Sequence, residues 1–175
     1  MTPEDADAMG FDLGAGFAEN VREAILAEWS EENYLANAMS QGIANAEAAG
    51  FDPEVYENYV QIMKSSGQYA EFTEEKIHEL ALANMKCERG LVTLTENWED
   101  WQNKLKNGNI TEVAGATNDL QNAFIDITGL PKKIMKKFDA DFFKKYSKEI
   151  SDVVKGTEGS IQKMKKIIEK ESLKI

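Results

Sequence analysis

The fold of this chain is decided by residues 73–108, which read TEEKIHELALANMKCERGLVTLTENWEDWQNKLKNG. Counted in sevens, the apolar residues of this segment fall on two heptad positions, as in a helix that packs along one narrow stripe. We call this stripe the packing seam and define it by its apolar members Ile77, Leu80, Leu91, Leu94, Trp98, Trp101 and Leu105. Asn84 and Cys87 occupy the remaining positions of the same register. The pattern predicts one long helix over about 73–106 that binds partner helices through the packing seam.

Both ends of the segment carry the signals that begin and end a helix. Thr73 is a preferred N-cap residue, and two glutamates follow it at the positive end of the helix dipole. Two lysines lie in the last turn, and the triplet Asn107-Gly108-Asn109 predicts a left-handed stop.

The composition predicts a folded, all-α chain. Of 175 residues, 42% are apolar and 29% are charged, and the sequence contains only three prolines. No run of 18 apolar residues predicts a membrane span, and no signal-peptide pattern opens the sequence. The single Cys87 excludes an internal disulfide and is expected to be a small buried hydrophobe on the seam. We expect a bundle of about six helices built around the long one.

Charge is distributed unevenly along the chain. Residues 1–79 contain 17 acids and 3 bases, residues 80–130 contain 7 acids and 4 bases, and residues 131–175 contain 7 acids and 13 bases. The acidic and basic parts are interpreted as solvated helix faces, or as surfaces that attract one another within a chain, between chains or towards separate partners.

The N-terminal part, 1–72, is predicted to be an acidic helical region. A short opening helix capped by Thr2 is followed by a glycine-containing loop up to Gly16 and a helix over 17–49. The next helix is capped by Asp52 and begins at Pro53.

The remaining residues, 73–175, continue the helical pattern after the long helix. Thr111 is the predicted N-cap of the next helix, and either Asp139 or Asp141 caps the one after it. The last helix is predicted to start at Thr157 and to be interrupted early by Gly159.

The sequence offers few residues for catalysis or metal binding. The only histidine, His78, is expected on an exposed helical position, and a rise of about 13 Å along the helix would separate it from Cys87. A di-iron helical bundle needs two Glu-x-x-His motifs, which a single histidine cannot supply, and no phosphate-binding glycine loop is present. We therefore predict no catalytic, cofactor-binding or metal-binding residue, and an enzyme is the least favoured class.

The lysine-rich segment 132–148 contains interleaved aromatic residues, a pattern that also occurs in nucleic-acid-binding proteins. Phe138, Phe142, Tyr146 and Ile150 recur at four-residue spacing, which places them on one helical face with lysines on the other. We interpret these apolar residues as core residues, so binding to nucleic acid or to a membrane surface is less favoured.

An ordered series of motifs resembles a segment of phage tail tape measure proteins. The motifs are LALAN at 80–84, RGL at 89–91, LTENWEDW at 94–101, LK at 105–106, LQNAFIDITGL at 120–130, and DFF at 141–143 with Ile150 and Gly156 after it. The resemblance covers about 70–175. It departs from the family in length, because tape measure proteins have many hundreds of residues, so 175 residues correspond to a piece or a small relative.

This resemblance implies a structural protein without cofactors. Such a protein occupies the lumen of the tail tube, sets the length of the tail and leaves when DNA is delivered. The implied location is the virion tail, assembled in the host cytoplasm, and the implied partners are the tail tube, other tail proteins or further copies of the chain. We expect the isolated chain to be a folded bundle, with any extended form confined to the tail. The alternative is a helical adaptor or regulatory module whose acidic N-terminal surface binds a basic partner.

Overall fold

The computed structural model describes the backbone of residues 15–174 and the side chains of residues 31–174. Within this part of the chain there are eight helices and no strands, so the predicted all-α bundle around one long helix is confirmed. The helices are α1 Ala15–Ala48, α2 Pro53–Ser65, α3 Glu74–Asn107, α4 Ile110–Thr128, α5 Lys132–Met135, α6 Ala140–Lys145, α7 Ser147–Val154 and α8 Ser160–Ser172. The predicted opening helix at Thr2 lies outside the described residues.

The chain packs as two compact units, 1–82 and 83–175, which we call the N-terminal and C-terminal units. The boundary lies inside α3 after Leu82, whereas the sequence pattern places it between 72 and 73. In the N-terminal unit α1 packs against α2. In the C-terminal unit α4 packs against α5 and α6, and α7 packs against α8.

The segment after α4 contains more helices than the sequence pattern predicts. Asp139 is the N-cap of α6, because its carboxylate accepts a hydrogen bond of 3.1 Å from the backbone N–H of Phe142. Tyr146 then leaves the helical conformation, with φ −105° and ψ 25°, and separates α6 from α7. The predicted single amphipathic helix is therefore two short helices joined at Tyr146.

Among the other predicted N-caps, Thr73 and Asp52 are confirmed and Thr111 is wrong. The side chains of Thr73 and Asp52 accept backbone hydrogen bonds of 3.2 and 2.8 Å at the starts of α3 and α2. The cap of α4 is Asn109 instead of Thr111, since its side-chain oxygen accepts from the N–H of Glu112 at 2.9 Å.

Two predictions that involve glycines near helix ends also need correction. Gly108 is not among the described glycines with positive φ, so the predicted left-handed stop of α3 is wrong. Its N–H donates to the carbonyl of Lys104 at 2.7 Å, and an added Cβ would lie 2.7 Å from that same oxygen. Gly159, with φ 76°, precedes α8 instead of interrupting it, so the helix begins after the predicted start at Thr157.

Candidate functional site

The residues of the packing seam differ in burial. Ile77, Leu94, Trp98 and Trp101 are buried, whereas Leu80, Leu91 and Leu105 are half-buried. Cys87 is half-buried and packs against the hydrophobic core of the C-terminal unit, together with Leu91 and Leu105.

A single heptad register does not describe the whole of α3. Towards the start of the helix the buried residues are Ile77, His78, Ala81 and Met85, and Ile77, Ala81 and Met85 follow one another at steps of four residues, while Asn84 is half-buried. Steps of four place residues on one side of a helix but drift away from a strict seven-residue repeat. The seam register therefore fits the buried residues near the end of α3 better than those near its start.

Trp98 and Trp101 form the centre of the C-terminal unit. Their rings are stacked, with centroids 5.2 Å apart and an angle of 10° between the planes. The indole N–H of Trp98 donates to the hydroxyl of Ser151 at 3.2 Å, and that of Trp101 donates to the hydroxyl of Thr117 at 3.0 Å. The Trp101 ring also contacts the edge of Phe143, with centroids 6.3 Å apart. These two residues therefore join α3 to α4, α6 and α7.

Arg89 and Gly90 hold α3 close to α4. A Cβ added at Gly90 would lie 2.6 Å from the carbonyl oxygen of Ala123, so no larger residue fits at this contact. The guanidinium of Arg89 binds both carboxylate oxygens of Asp126, at 2.9 Å from Nε and 3.0 Å from Nη2. This two-point pair fixes the position of one helix along the other.

The aromatic residues of segment 132–148 belong to the same core. Phe138, Phe143 and Ile150 are buried, and Phe142 and Tyr146 are half-buried against them. The interpretation as core residues is confirmed for Phe138 and Ile150, whereas Phe142 and Tyr146 of the predicted face are only half-buried. The break at Tyr146 also allows its hydroxyl to donate a hydrogen bond of 2.7 Å to Glu171 near the end of α8.

In the N-terminal unit, His78 contradicts its predicted exposure. Its side chain is only 5% exposed, and the hydroxyl oxygen of Tyr56 on α2 lies 2.5 Å from its Nδ1. Its Nε2 lies 3.7 Å from a carboxylate oxygen of Glu74 and has no hydrogen-bond partner among the described residues. The prediction is wrong because Tyr56, 22 residues earlier in the sequence, covers this side of α3.

The cluster of Tyr56, His78, Glu74 and Lys64 combines a neutral pair with an ion pair. We assign the Tyr56 hydroxyl as donor to Nδ1, which places the imidazole proton on Nε2, facing the Glu74 carboxylate. Burial lowers the pKa of His78, although Glu74 opposes this effect, and burial raises the pKa of Tyr56 to about 12. Lys64 forms an ion pair with Glu74. At neutral pH the imidazole and the phenol are both uncharged.

The position of this cluster favours a structural role. Tyr56 is fully buried, so a substrate in solvent cannot reach its hydroxyl while α1 and α2 stay packed. Gly42 of α1 leaves the space that the cluster needs, because an added Cβ would overlap the Tyr56 hydroxyl and lie 2.7 Å from His78 Nδ1. The cluster therefore links three helices of the N-terminal unit.

The described residues contain no group of three histidine, cysteine or acidic side chains placed to hold a metal ion. In the same part of the chain, no helix is long and apolar enough to cross a membrane.

Comparisons with protein-family models, with curated proteins and with solved structures find no match to this chain. The likeness of residues 70–175 to tape measure proteins therefore rests on the ordered motifs alone.

Proposed function

We propose that this chain is a structural segment of a phage tail tape measure protein and acts through helix packing without catalysing a reaction. The observation that carries the proposal is the position of the motif residues within the C-terminal unit. Leu94, Trp98 and Trp101 are buried in its core, and Gly90 lies at the close contact between α3 and α4. The motifs that resemble the family thus encode contacts between helices.

The glycine breaks between the helices suit a chain that changes from a bundle to an extended form. Gly129 and Gly156 have positive φ values of 71° and 75° and separate helices that bury apolar faces in one another. An amphipathic helix that leaves the bundle exposes its apolar face, which must then be covered by another molecule. In a tail, the tube protein or further copies of the chain would cover these faces.

A change in tail length tests the proposal in the phage that encodes the chain. An in-frame duplication of residues 110–172 should lengthen the tail by about 95 Å, because an extended helix rises by about 1.5 Å per residue. Electron micrographs of purified tails give the length, and mass spectrometry shows whether the chain is present. The matched control is the Val92→Ala variant without duplication, a change at an exposed residue, which should leave the tail length unchanged. Absence of the chain from tails, or a tail of normal length after duplication, would contradict the proposal.

An exposed stretch of α1 supports a second candidate, the helical adaptor with an acidic N-terminal surface. All side chains of residues 31–37 are exposed, including Glu31, Glu32, Tyr34 and Leu35. Seven consecutive exposed residues correspond to almost two turns of helix, all of which are accessible to a binding partner. Saturable, salt-sensitive binding of a purified basic helical protein, lost in Glu31→Lys/Glu32→Lys, would favour this candidate. Absence of such binding would leave the tape measure proposal as the only one supported.

A further inference from the structure

Helix α8 carries a row of lysines on its outer face. Lys163, Lys166 and Lys170 are three and four residues apart, so they lie on one side of the helix, and all three are exposed. None of them forms an ion pair with another described side chain, whereas Lys174, just beyond the helix, pairs with Glu171 at 3.3 Å. We call Lys163, Lys166 and Lys170 the lysine row.

The other face of α8 is already used by the core of its own unit. Met164 and Ile168 are buried among the residues around Trp98 and Trp101. A basic amphipathic helix that inserts into a membrane surface must turn such an apolar face towards the lipid. The lysine row is therefore available to a partner that binds through charge, while membrane insertion would require the core to open.

The chain contains a surface of opposite charge in α1. The described side chains of this helix, at 31–48, include three acids, all of them exposed, and no base. In the exposed stretch 31–37, Glu31 and Glu32 form no ion pair with a described side chain, and Tyr34 and Leu35 are 40% and 39% exposed. Carboxylates on this stretch match the ammonium groups of the lysine row, and its apolar groups can cover the methylene stems of lysines.

We propose that residues 31–37 of one copy bind the lysine row on α8 of a second copy. The contact joins two different surfaces, so a pair of copies keeps one free surface of each kind, one on each copy, and further copies can add. The resulting assembly is a head-to-tail chain or a closed ring. This inference does not depend on the proposed tape measure function, since it follows from exposure and charge alone.

The first test is the mass of the full-length chain in solution, measured by sedimentation velocity over a range of concentrations. Exposed charge pairs are screened by salt, so association should be present at about 0.02 M salt and should weaken at least tenfold at about 0.5 M. A chain that stays monomeric at every concentration and at both salt levels would overturn the proposal.

A charge swap identifies the two surfaces. Lys163→Glu/Lys166→Glu/Lys170→Glu should abolish self-association, and Glu31→Lys/Glu32→Lys should abolish it separately. Mixed in equal amounts, the two variants should bind each other, because the first keeps the acidic surface and the second keeps the lysine row. Circular dichroism checks that both variants remain helical.

The matched control reverses three other exposed lysines of the same unit. Lys132→Glu/Lys133→Glu/Lys137→Glu changes the net charge by the same amount as the lysine-row variant and should still self-associate. Equal loss of association in this control would show a general charge effect and would overturn the assignment to α8. Binding of a DNA duplex or of anionic vesicles by the lysine row, without self-association, would assign the row to a different partner and also overturn the proposal.

Discussion

Trp98 and Trp101 each bury an indole ring while the indole N–H keeps a hydrogen-bond partner. Trp101 is 1% exposed, and its N–H donates to Thr117, a buried hydroxyl on the facing helix. A buried polar group that loses its partner is costly, so the two hydroxyls are part of the reason why tryptophan fits at both positions. The sequence pattern predicts the burial of these rings but offers no sign of which hydroxyls they meet.

Truncation of either tryptophan should destabilise the C-terminal unit strongly. Trp98→Ala and Trp101→Ala should each lower the free energy of unfolding by about 3–5 kcal/mol, as large-to-small core substitutions do. Urea denaturation followed by circular dichroism measures the change. Val92→Ala is the matched control on the same helix, because Val92 is 57% exposed and its truncation should have a small effect. A loss below about 0.5 kcal/mol for both tryptophan variants would place these residues among surface positions.

His78 should make the stability of the chain depend on pH. Burial lowers its pKa in the folded chain below the usual 6.5, despite the neighbouring Glu74. Between the lowered pKa of the folded chain and the pKa of about 6.5 in the unfolded chain, the unfolded chain binds more protons than the folded one. The free energy of unfolding therefore falls as the pH falls below about 6.5. The groups that face the imidazole are Tyr56 and Glu74, with Lys64 paired to the glutamate.

The His78→Gln variant isolates this effect, since glutamine keeps a hydrogen-bonding group for Tyr56 but does not titrate. Urea midpoints measured across the pH range from about 5 to about 8 should show that the wild type loses stability relative to the variant on acidification. A difference between the two chains that is constant with pH would show that the pKa of His78 is the same in the folded and unfolded chains.

The role of His78 could not be predicted because its partner lies on another helix. A periodicity argument assigns each residue to a face of its own helix, and it places His78 beside the seam. The contact with Tyr56 spans 22 residues of sequence and depends on how α2 approaches α3. The role of Gly42 in leaving space for this contact could not be predicted either. From the sequence alone, a glycine inside a helix is expected only to lower helix stability.

Among the helices, α3 and α4 depend on the small size of Gly90. Glycine inside a helix ordinarily costs about 1 kcal/mol relative to alanine, so helix propensity alone predicts that Gly90→Ala stabilises the chain. The added Cβ would lie 2.6 Å from the carbonyl oxygen of Ala123 and 2.8 Å from Cγ1 of Ile127. The clash could be relieved only if α4 moved away from α3. That movement would cost free energy, because the contact is with backbone and the Arg89–Asp126 pair holds the two helices together.

We therefore expect Gly90→Ala to lower the free energy of unfolding by about 1–3 kcal/mol, the usual range for overpacking. Gly115→Ala provides the matched control in α4, because a Cβ there meets nothing within 4 Å. The control should stabilise the chain by about 0.5–1 kcal/mol through helix propensity. If both variants were equally stabilising in urea denaturation, the close approach of the two helices would be wrong.

The start of α4 shows how a local signal can point to the wrong residue. Asn109 and Thr111 are both good N-cap residues, and the sequence pattern favours Thr111 because an apolar series follows it. The structure selects Asn109, which has the extended backbone of a cap, with φ −84° and ψ 175°. The choice depends on where α3 ends: its last residue is Asn107, and the N–H of Gly108 still donates to the carbonyl of Lys104.

Alanine substitutions can show whether Asn109 or Thr111 is the N-cap of α4, because only loss of the true cap should lower the free energy of unfolding clearly. Asn109→Ala should lower the free energy of unfolding by about 1 kcal/mol, the usual cost of a lost N-cap. Thr111→Ala should change it by less than about 0.5 kcal/mol, since Thr111 is an exposed residue within the first turn. Thermal denaturation of both variants distinguishes the assignments, and a larger loss for Thr111→Ala would reverse them.

For the chain as a whole, the all-helical class and the long central helix could be predicted, because both follow from local periodicity and capping. The sequence pattern divides the chain between 72 and 73, and it gives no sign of a boundary inside α3, because the heptad register continues past Leu82 through Asn84 and Cys87 to Leu91. Which residues of a continuous helix become buried depends on the helices that pack against each part of it. That information lies in distant segments, as the pairs Tyr56–His78 and Trp101–Thr117 show.

The two units should respond separately to destabilisation, although they share one helix. Met63 of α2 and Leu120 of α4 are both buried, and truncation of either to alanine should cost about 2–5 kcal/mol within its own unit. Amides exchange with solvent through local opening, so each substitution should speed exchange mainly in the unit that it weakens.

Hydrogen–deuterium exchange measured by mass spectrometry on the full-length chain can follow both units in one experiment. Met63→Ala should speed exchange in α2 and in α3 up to Leu82, and Leu120→Ala should speed it in α4 to α8 and in α3 from Ala83 onwards. The peptides of α3 are the decisive ones, because the hydrogen bonds of a continuous helix favour its opening as one piece. Faster exchange throughout the chain in both variants would show one cooperative unit, with α3 transmitting the loss of packing from end to end.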